Sequence, residues 1–130
     1  MGKKKVLVTV ERASDGSYWC RTEDAINKGH FSSAGDTVEA AKQDLVACYE
    51  EAKETEGGLP EVEFSYKYDI QSFFNYFSYL NATDIARRAG INPSLMRQYT
   101  SGVKKAGETT YRRLALQVAR IRKDFESVSF

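Results

Sequence analysis

Histidine, cysteine and long apolar runs are all scarce in this 130-residue chain, and each scarcity excludes a class of protein. His30 is the single histidine, and no Ser–His–Asp or Cys–His constellation assembles around it. Cys20 and Cys48 lie far apart with no CxxC spacing, which excludes a structural zinc site. Cys48 falls on the apolar face of an expected helix, where it reads as a small buried thiol; a disulfide would be unusual in a reducing compartment. No apolar stretch reaches the length needed to span a bilayer. The opening MGKKKVLVTV imitates a signal peptide, but Val6 to Val10 alternates with polar residues and runs into Glu11 and Arg12, too short for an h-region. The expectation is a cytoplasmic protein with no membrane partner, no metal and no cofactor.

What is present suits a folded chain: 42% hydrophobic and 28% charged residues, enough for one ordinary domain or two small ones. The net charge of +1 conceals a division. Residues 1–66 hold 8 Lys+Arg against 13 Asp+Glu, or −5, and residues 67–130 hold 11 against 5, or +6. A basic half suits a polyanion and an acidic half suits a basic protein.

The two halves also differ in period. Val6, Val8 and Val10 share one face of a first strand. Ser14-Asp15-Gly16 is turn chemistry, so Ser17 to Thr22 returns as the second strand of a hairpin. Asn27-Lys28-Gly29 marks a further turn, with His30 to Ala34 as a short third strand. Asp36, with Glu39 three residues on, is the expected N-cap of a helix. Its stripe is Val38, Ala41, Leu45, Cys48, Tyr49 and Ala52. Gly57-Gly58 ends it, and Val62, Phe64 and Tyr66 alternate as a last strand, with Glu61 and Glu63 facing solvent. The expected class is α+β: a β-β-β-α-β unit over residues 1–67, one helix on a mainly antiparallel sheet, followed by an all-α unit of about four helices over 68–130.

In that second unit Asp69 caps a helix whose inner face is Ile70, Phe73, Phe74, Phe77 and Leu80. Asn81, with Asp84 three residues later, caps the next. From Ala82 to Ser101 the spacing reads as helix, glycine turn, helix. Ile85 and Ala86 face inward, and Ala86 is small where two helices cross closely. Gly90 sits where the turn needs a positive φ, and Ile91 plugs the gap. Asn92 caps the second helix with Pro93 at its first position. Leu95, Met96 and Tyr99 face inward, which leaves Asn92, Ser94, Arg97, Gln98 and Ser101 outward. A basic loop, Val103 to Gly107, leads into a long helix with the stripe Tyr111, Leu114, Ala115, Val118, Ile121 or Arg122, and Phe125.

Ala86, Gly90 and Met96 occupy the fifth, ninth and fifteenth positions of a pattern that resembles the Cro/repressor class of helix-turn-helix, and the likeness covers residues 70–121. In the first half, Ser33-Ala34-Gly35-Asp36-Thr37-Val38-Glu39-Ala40-Ala41, the Asp15-Gly16 turn and Tyr18-Trp19 resemble the HicB family of antitoxins. That family often carries a Pro-Asp-x-x-Gly segment before the third strand, where Arg21 to His30 here reads RTEDAINKGH. The resemblance implies a partial ribonuclease-H-like N-terminal domain, a HicA-type RNA-cleaving toxin as partner, and repression of the protein's own operon.

A ribonuclease-H likeness also invites an enzyme reading, which needs several carboxylates converging on two Mg²⁺ ions about 4 Å apart. The candidates are Glu11, Asp15, Asp36 and Glu61 or Glu63, of which Asp15 is wanted in a turn and Asp36 as a cap. A non-enzymatic binding protein with no catalytic residue is therefore expected. Base readout of double-stranded operator DNA falls to Arg97 and Gln98, which suit guanine and adenine edges, with Asn92, Ser94 and Ser101 beside them. Phosphate contacts fall to Lys104 and Lys105, with Arg87 and Arg88 as further candidates. A homodimer or a higher even-numbered oligomer is expected on a two-fold operator, with Phe125, Val128 and Phe130 either at its interface or in a frayed tail. The alternative is a stand-alone helix-turn-helix regulator whose N-terminal domain senses a ligand or mediates dimerisation.

Overall fold

The alternation of the N-terminal segment becomes β1 (Lys4–Arg12), which buries Val6, Val8 and Val10 and turns its intervening residues away. A computed structural model describes residues 2–130, and among them it forms an α+β fold with four strands in one mixed sheet and five helices. The chain divides into two units, Met1–Tyr76 and Phe77–Phe130.

In the first unit β1 is followed by β2 (Tyr18–Thr22) and β3 (Ser32–Gly35), each antiparallel to its predecessor. The β1–β2 turn closes through Ala13 N–H to Ser17 O at 2.8 Å. Within it Asp15 Oδ1 accepts from both the amide and the hydroxyl of Ser17, and these two bonds hold the Asp15 carboxyl below its ordinary range. The helix α1 (Val38–Glu56) follows, then β4 (Val62–Tyr68), which returns parallel to β1. The strand order is β3-β2-β1-β4. Two of its three pairings are antiparallel, and the parallel one needs the α1 crossover.

The helix start differs from the sequence expectation. Thr37, not Asp36, is the N-cap of α1, its Oγ1 accepting from Ala40 N–H at 3.1 Å. Gly35 lets the chain turn tightly into the helix: a Cβ there would sit 2.7 Å from Ala41 N. That approach shifts the cap by one residue and leaves Asp36 exposed.

The core joins Val8, Val10, Tyr18, Cys20, Val38, Ala41 and Leu45, and continues through Val6, Ile26 and Tyr49. Phe31 and Phe64 meet Tyr49 edge-on at 5.0 and 5.8 Å between ring centroids, a favourable aromatic geometry. The buried thiol is Cys20 and not Cys48, which is half-buried on the flank of α1. Ser33 Oγ donates to Ala41 O at 2.6 Å and ties β3 to α1.

The short helix α2 (Ile70–Tyr76) belongs to this first unit, whereas the sequence reading, with its boundary at 67/68, assigns it to the second. Asp69 explains the attachment. Its Oδ1 accepts from Ser72 N–H at 2.8 Å, as a cap, while Oδ2 accepts from Arg12 N–H at 2.9 Å, at the end of β1. Asn75 Oδ1 then accepts from Val38 N–H at 2.9 Å, filling an amide left open at the start of α1. On the same side Lys42 Nζ lies 3.6 and 3.9 Å from the ring centroids of Tyr76 and Tyr66 and donates to Tyr68 Oη at 2.7 Å. The helix ends at Tyr76, so Phe77 and Leu80 fall outside the expected eleven-residue face.

The second unit holds α3 (Ala82–Ala89), α4 (Pro93–Ser101) and α5 (Glu108–Phe125). With α2, residues 68–130 hold the four helices expected there, three of them in this second unit. Its core is Ile85, Ala86, Ile91, Met96 and Tyr99. On α5 the covered line is Leu114, Gln117, Val118 and Ile121, whereas Tyr111, Ala115 and Phe125 of the expected stripe are exposed. The short α3 is the helix packed against this 18-residue helix and covers only part of its length, and Gln117 rather than an apolar side chain occupies its most buried position. No helix among the described residues is long and apolar enough to cross a membrane.

Candidate nucleic-acid interface

The helix pair α3–α4 is built by local chemistry at both of its ends. Asn81 caps α3 by accepting from Asp84 N–H at 3.1 Å. The helix ends at Gly90, which adopts φ 75° and ψ 27°, a left-handed conformation that other L-residues reach only at a cost. Ile91 N–H then reaches Ala86 O at 2.8 Å, closing the turn and seating the Ile91 side chain in the core. Ala86 is fully buried, as a close crossing of two helices requires. Asn92 Oδ1 accepts from Ser94 N–H at 2.8 Å and Leu95 N–H at 3.3 Å, and Pro93 occupies the first position of α4. Gly102, at φ 82°, ends α4.

This frame leaves one exposed stripe on α4. Ser94, Arg97, Gln98 and Ser101 are all exposed and recur at intervals that place them on a single face. Arg97 Nη2 donates to Ser94 Oγ at 3.0 Å, which steadies the guanidinium over the first turn of the helix. The Ser101 hydroxyl folds back to Gln98 O at 3.2 Å. Asn92 stands at the head of the stripe, but its carbonyl oxygen is occupied by the two amides it caps, leaving its side-chain NH₂ as the donor that can face outward.

The cations divide into tied and untied groups. Arg87 pairs with Asp84 at 3.1 Å. Arg88, Lys104 and Lys105 are exposed and have no acidic partner among the described residues. Lys104 is positioned by its own amide, which donates to Gln98 O at 3.2 Å and so sets the basic loop against the end of α4. Residues 77–130 hold 10 Lys+Arg against 4 Asp+Glu, or +6, whereas residues 1–76 hold 9 against 14, or −5. Moving the boundary to the observed place keeps the division of charge.

Arg113 plays a part that sequence reasoning missed. Its Nη1 donates to Gly90 O at 3.1 Å, fastening α5 to the turn between α3 and α4. The visible signal is its place one turn before Gln117, with Arg113 itself exposed and only Gln117 buried. A stripe sought only in apolar residues passes over both.

The carboxylates singled out in the first unit are dispersed. Glu11 pairs with Arg21 at 3.4 Å and Glu61 with Lys53 at 2.6 Å; the Lys53 bond holds the Glu61 carboxyl below its ordinary range. Asp15 serves its turn, Asp36 and Glu63 are exposed, and His30 Nδ1 lies 3.2 Å from Thr22 O. No group of three or more His, Cys, Asp or Glu side chains among the described residues is placed to hold a metal ion. Comparison with protein-family models, with curated proteins and with solved structures finds no match to this chain.

Proposed function

We propose that this protein is an antitoxin that represses its own operon, its second unit acting as a helix-turn-helix reader of double-stranded DNA and its first unit covering a HicA-type RNA-cleaving toxin. The observation that carries the DNA reading is the α3–Gly90–α4 pair with Ser94, Arg97, Gln98 and Ser101 on one open face. A helix held this way can lie in the major groove with its N-terminal half against base edges. Arg97 can offer two donors to guanine O6 and N7, and Gln98 a donor and an acceptor to adenine N6 and N7. Lys104 and Lys105, in the loop bonded to the end of α4, and exposed Arg88 on α3 supply charge to phosphates. Arg113 holds the turn and so serves as a positioning residue. Exposed Phe125, Val128 and Phe130 offer apolar surface for a two-fold partner of the DNA-binding unit.

The toxin reading rests on the HicB resemblance and on charge: a −5 unit attracts a basic RNA-gripping protein and speeds encounter. The proposed first unit is the partial ribonuclease-H-like domain, used for binding without catalysis.

The test begins by selecting duplexes from a random pool with the intact protein. Arg97→Ala then relaxes preference at one base pair, by about 1–3 kcal/mol. Lys104→Ala weakens all duplexes alike and lowers the salt slope by about 1. Equal effects of both variants on selected and random duplexes would overturn the helix assignment. Co-expression with a HicA-type toxin should restore growth of cells that the toxin arrests, and failure to do so with a toxin encoded beside this gene would refute the antitoxin half.

A further inference from the structure

We propose that the open edge of β4 pairs, antiparallel and about a two-fold axis, with β4 of a second copy of this chain, joining two first units into a continuous eight-stranded sheet. β4 is seven residues long, contains no proline or glycine, and is hydrogen-bonded in the sheet only to β1. Natural edges are often blunted by a bulge, a proline or charged side chains; β4 has no bulge and no proline, and its two charged residues, Glu63 and Lys67, are opposite in sign.

The direction of its backbone groups follows from two hydrogen bonds. Lys4 N–H donates to Glu61 O at 3.0 Å and Asp69 N–H donates to Val10 O at 3.0 Å. In a parallel ladder this parity turns the amides and carbonyls of Glu61, Glu63, Ser65 and Lys67 toward β1. Those of Val62, Phe64 and Tyr66 therefore point to the open edge. A partner strand must form hydrogen-bonded pairs with these residues.

One self-pairing meets that parity and also matches charge and shape. With Ser65 on the axis, Ser65 faces Ser65 of the second copy, Phe64 faces Tyr66, and Glu63 faces Lys67. By symmetry each of the last two contacts occurs twice. The Phe64–Tyr66 pairs fall at hydrogen-bonded positions and exchange about four backbone bonds. The Glu63–Lys67 pairs fall on the exposed face, and neither residue has an ion-pair partner among the described residues. Shifting the register by two residues sets Lys67 opposite Glu61, already held by Lys53 at 2.6 Å, or opposite Ser65. Charge thus selects the Ser65-centred register.

The inner face supports the same occupant. Val62, Phe64, Tyr66 and Tyr68 all point to the core side yet are only half-buried. The reason is the seat of α1, which lies mainly over β3 and β2. A two-fold axis normal to the sheet brings two such incompletely covered aromatic strips side by side, between α1 helices that stand away from the axis.

The proposal rests on the sheet alone and is independent of the DNA reading. It is tested on the intact protein in a Cys48→Ser background, by cross-linking under mild oxidation. Ser65→Cys places two thiols on directly opposed residues, with Cα atoms about 4.5 Å apart, within reach of a disulfide. Glu63→Cys and Lys67→Cys each place theirs about 14 Å apart, beyond reach. The expected result is a disulfide dimer from Ser65→Cys, none from either other variant alone, and a heterodimer when Glu63→Cys and Lys67→Cys copies are mixed. Glu63→Lys or Lys67→Glu should weaken the association about tenfold or more, and the two together in one chain should restore it. Failure of Ser65→Cys to cross-link, or equal cross-linking by Glu63→Cys alone, overturns the proposal. An edge reserved for a strand of another protein gives the first of those results.

Discussion

Replacing Gly90 by alanine tests the turn on which the candidate interface depends. Gly90 lies at φ 75°, ψ 27°, and a Cβ built there meets no heavy atom within 4 Å. Steric collision therefore contributes nothing, and the cost is that of holding an L-residue in the left-handed region, about 1–2 kcal/mol. Each kcal/mol lowers the midpoint by about 4–8 °C in domains of roughly 60–100 residues. The fall should lie toward the upper end here, because the unit holding the turn spans only Phe77–Phe130. Asparagine visits this region more readily than alanine, so Gly90→Asn should lose less, and Gly90→Val, with its branched Cβ, should lose most. Thermal melts followed by far-ultraviolet circular dichroism read the order Gly, Asn, Ala, Val directly. An alanine variant as stable as the parent, or an asparagine variant no better than valine, would refute the assignment of Gly90 to a strained turn.

Gly35 should fail for the opposite reason. A Cβ there would lie 2.7 Å from Ala41 N, 2.9 Å from Ala40 Cβ and 3.0 Å from Ala40 C, so Gly35→Ala must push α1 away and should cost about 1–3 kcal/mol by urea unfolding; an unchanged midpoint would mean that the helix does not approach so closely. Alkaline pH should destabilise the first unit. Burial raises the Cys20 thiol above its ordinary 9.0 and the Tyr49, Tyr66 and Tyr68 phenols above 10.0. The unfolded chain then releases these protons first, so the stability they contribute below pH 9.0–10.0 is lost as pH rises through the higher folded values. Lys42, lowered by burial, opposes part of this loss. Tyr68→Phe should make the fall in urea midpoint shallower above pH 10.0, and an unaltered slope would remove Tyr68 from the explanation.

Much of the local structure was legible in the chain because it depends on near neighbours. The β1 alternation, the Ser14–Gly16 turn, the Asn81 and Asn92 caps and the positive φ of Gly90 all follow from residues within a few positions of one another. The exposed stripe of Ser94, Arg97, Gln98 and Ser101 followed from the same spacing. Errors began where a distant segment competed for the same group. Asp36 reads as a cap until Gly35 brings the chain so close to α1 that Thr37 takes the role. The helix from Ile70 reads as eleven residues of one apolar face until Asp69, Asn75 and Tyr76 attach it to the sheet and the α1 helix.

By itself the sequence determined the periodicities, the turns, the caps and the division of charge, since each is set by bonds and side chains a few residues apart. Tertiary structure alone decided that β4 returns parallel beside β1, that α2 joins the first unit, and that Arg113 fastens the Gly90 turn. It also decided which edge of the sheet stays open. These are pairings between segments far apart in the chain, where several partners satisfy the local pattern equally and only simultaneous packing selects one.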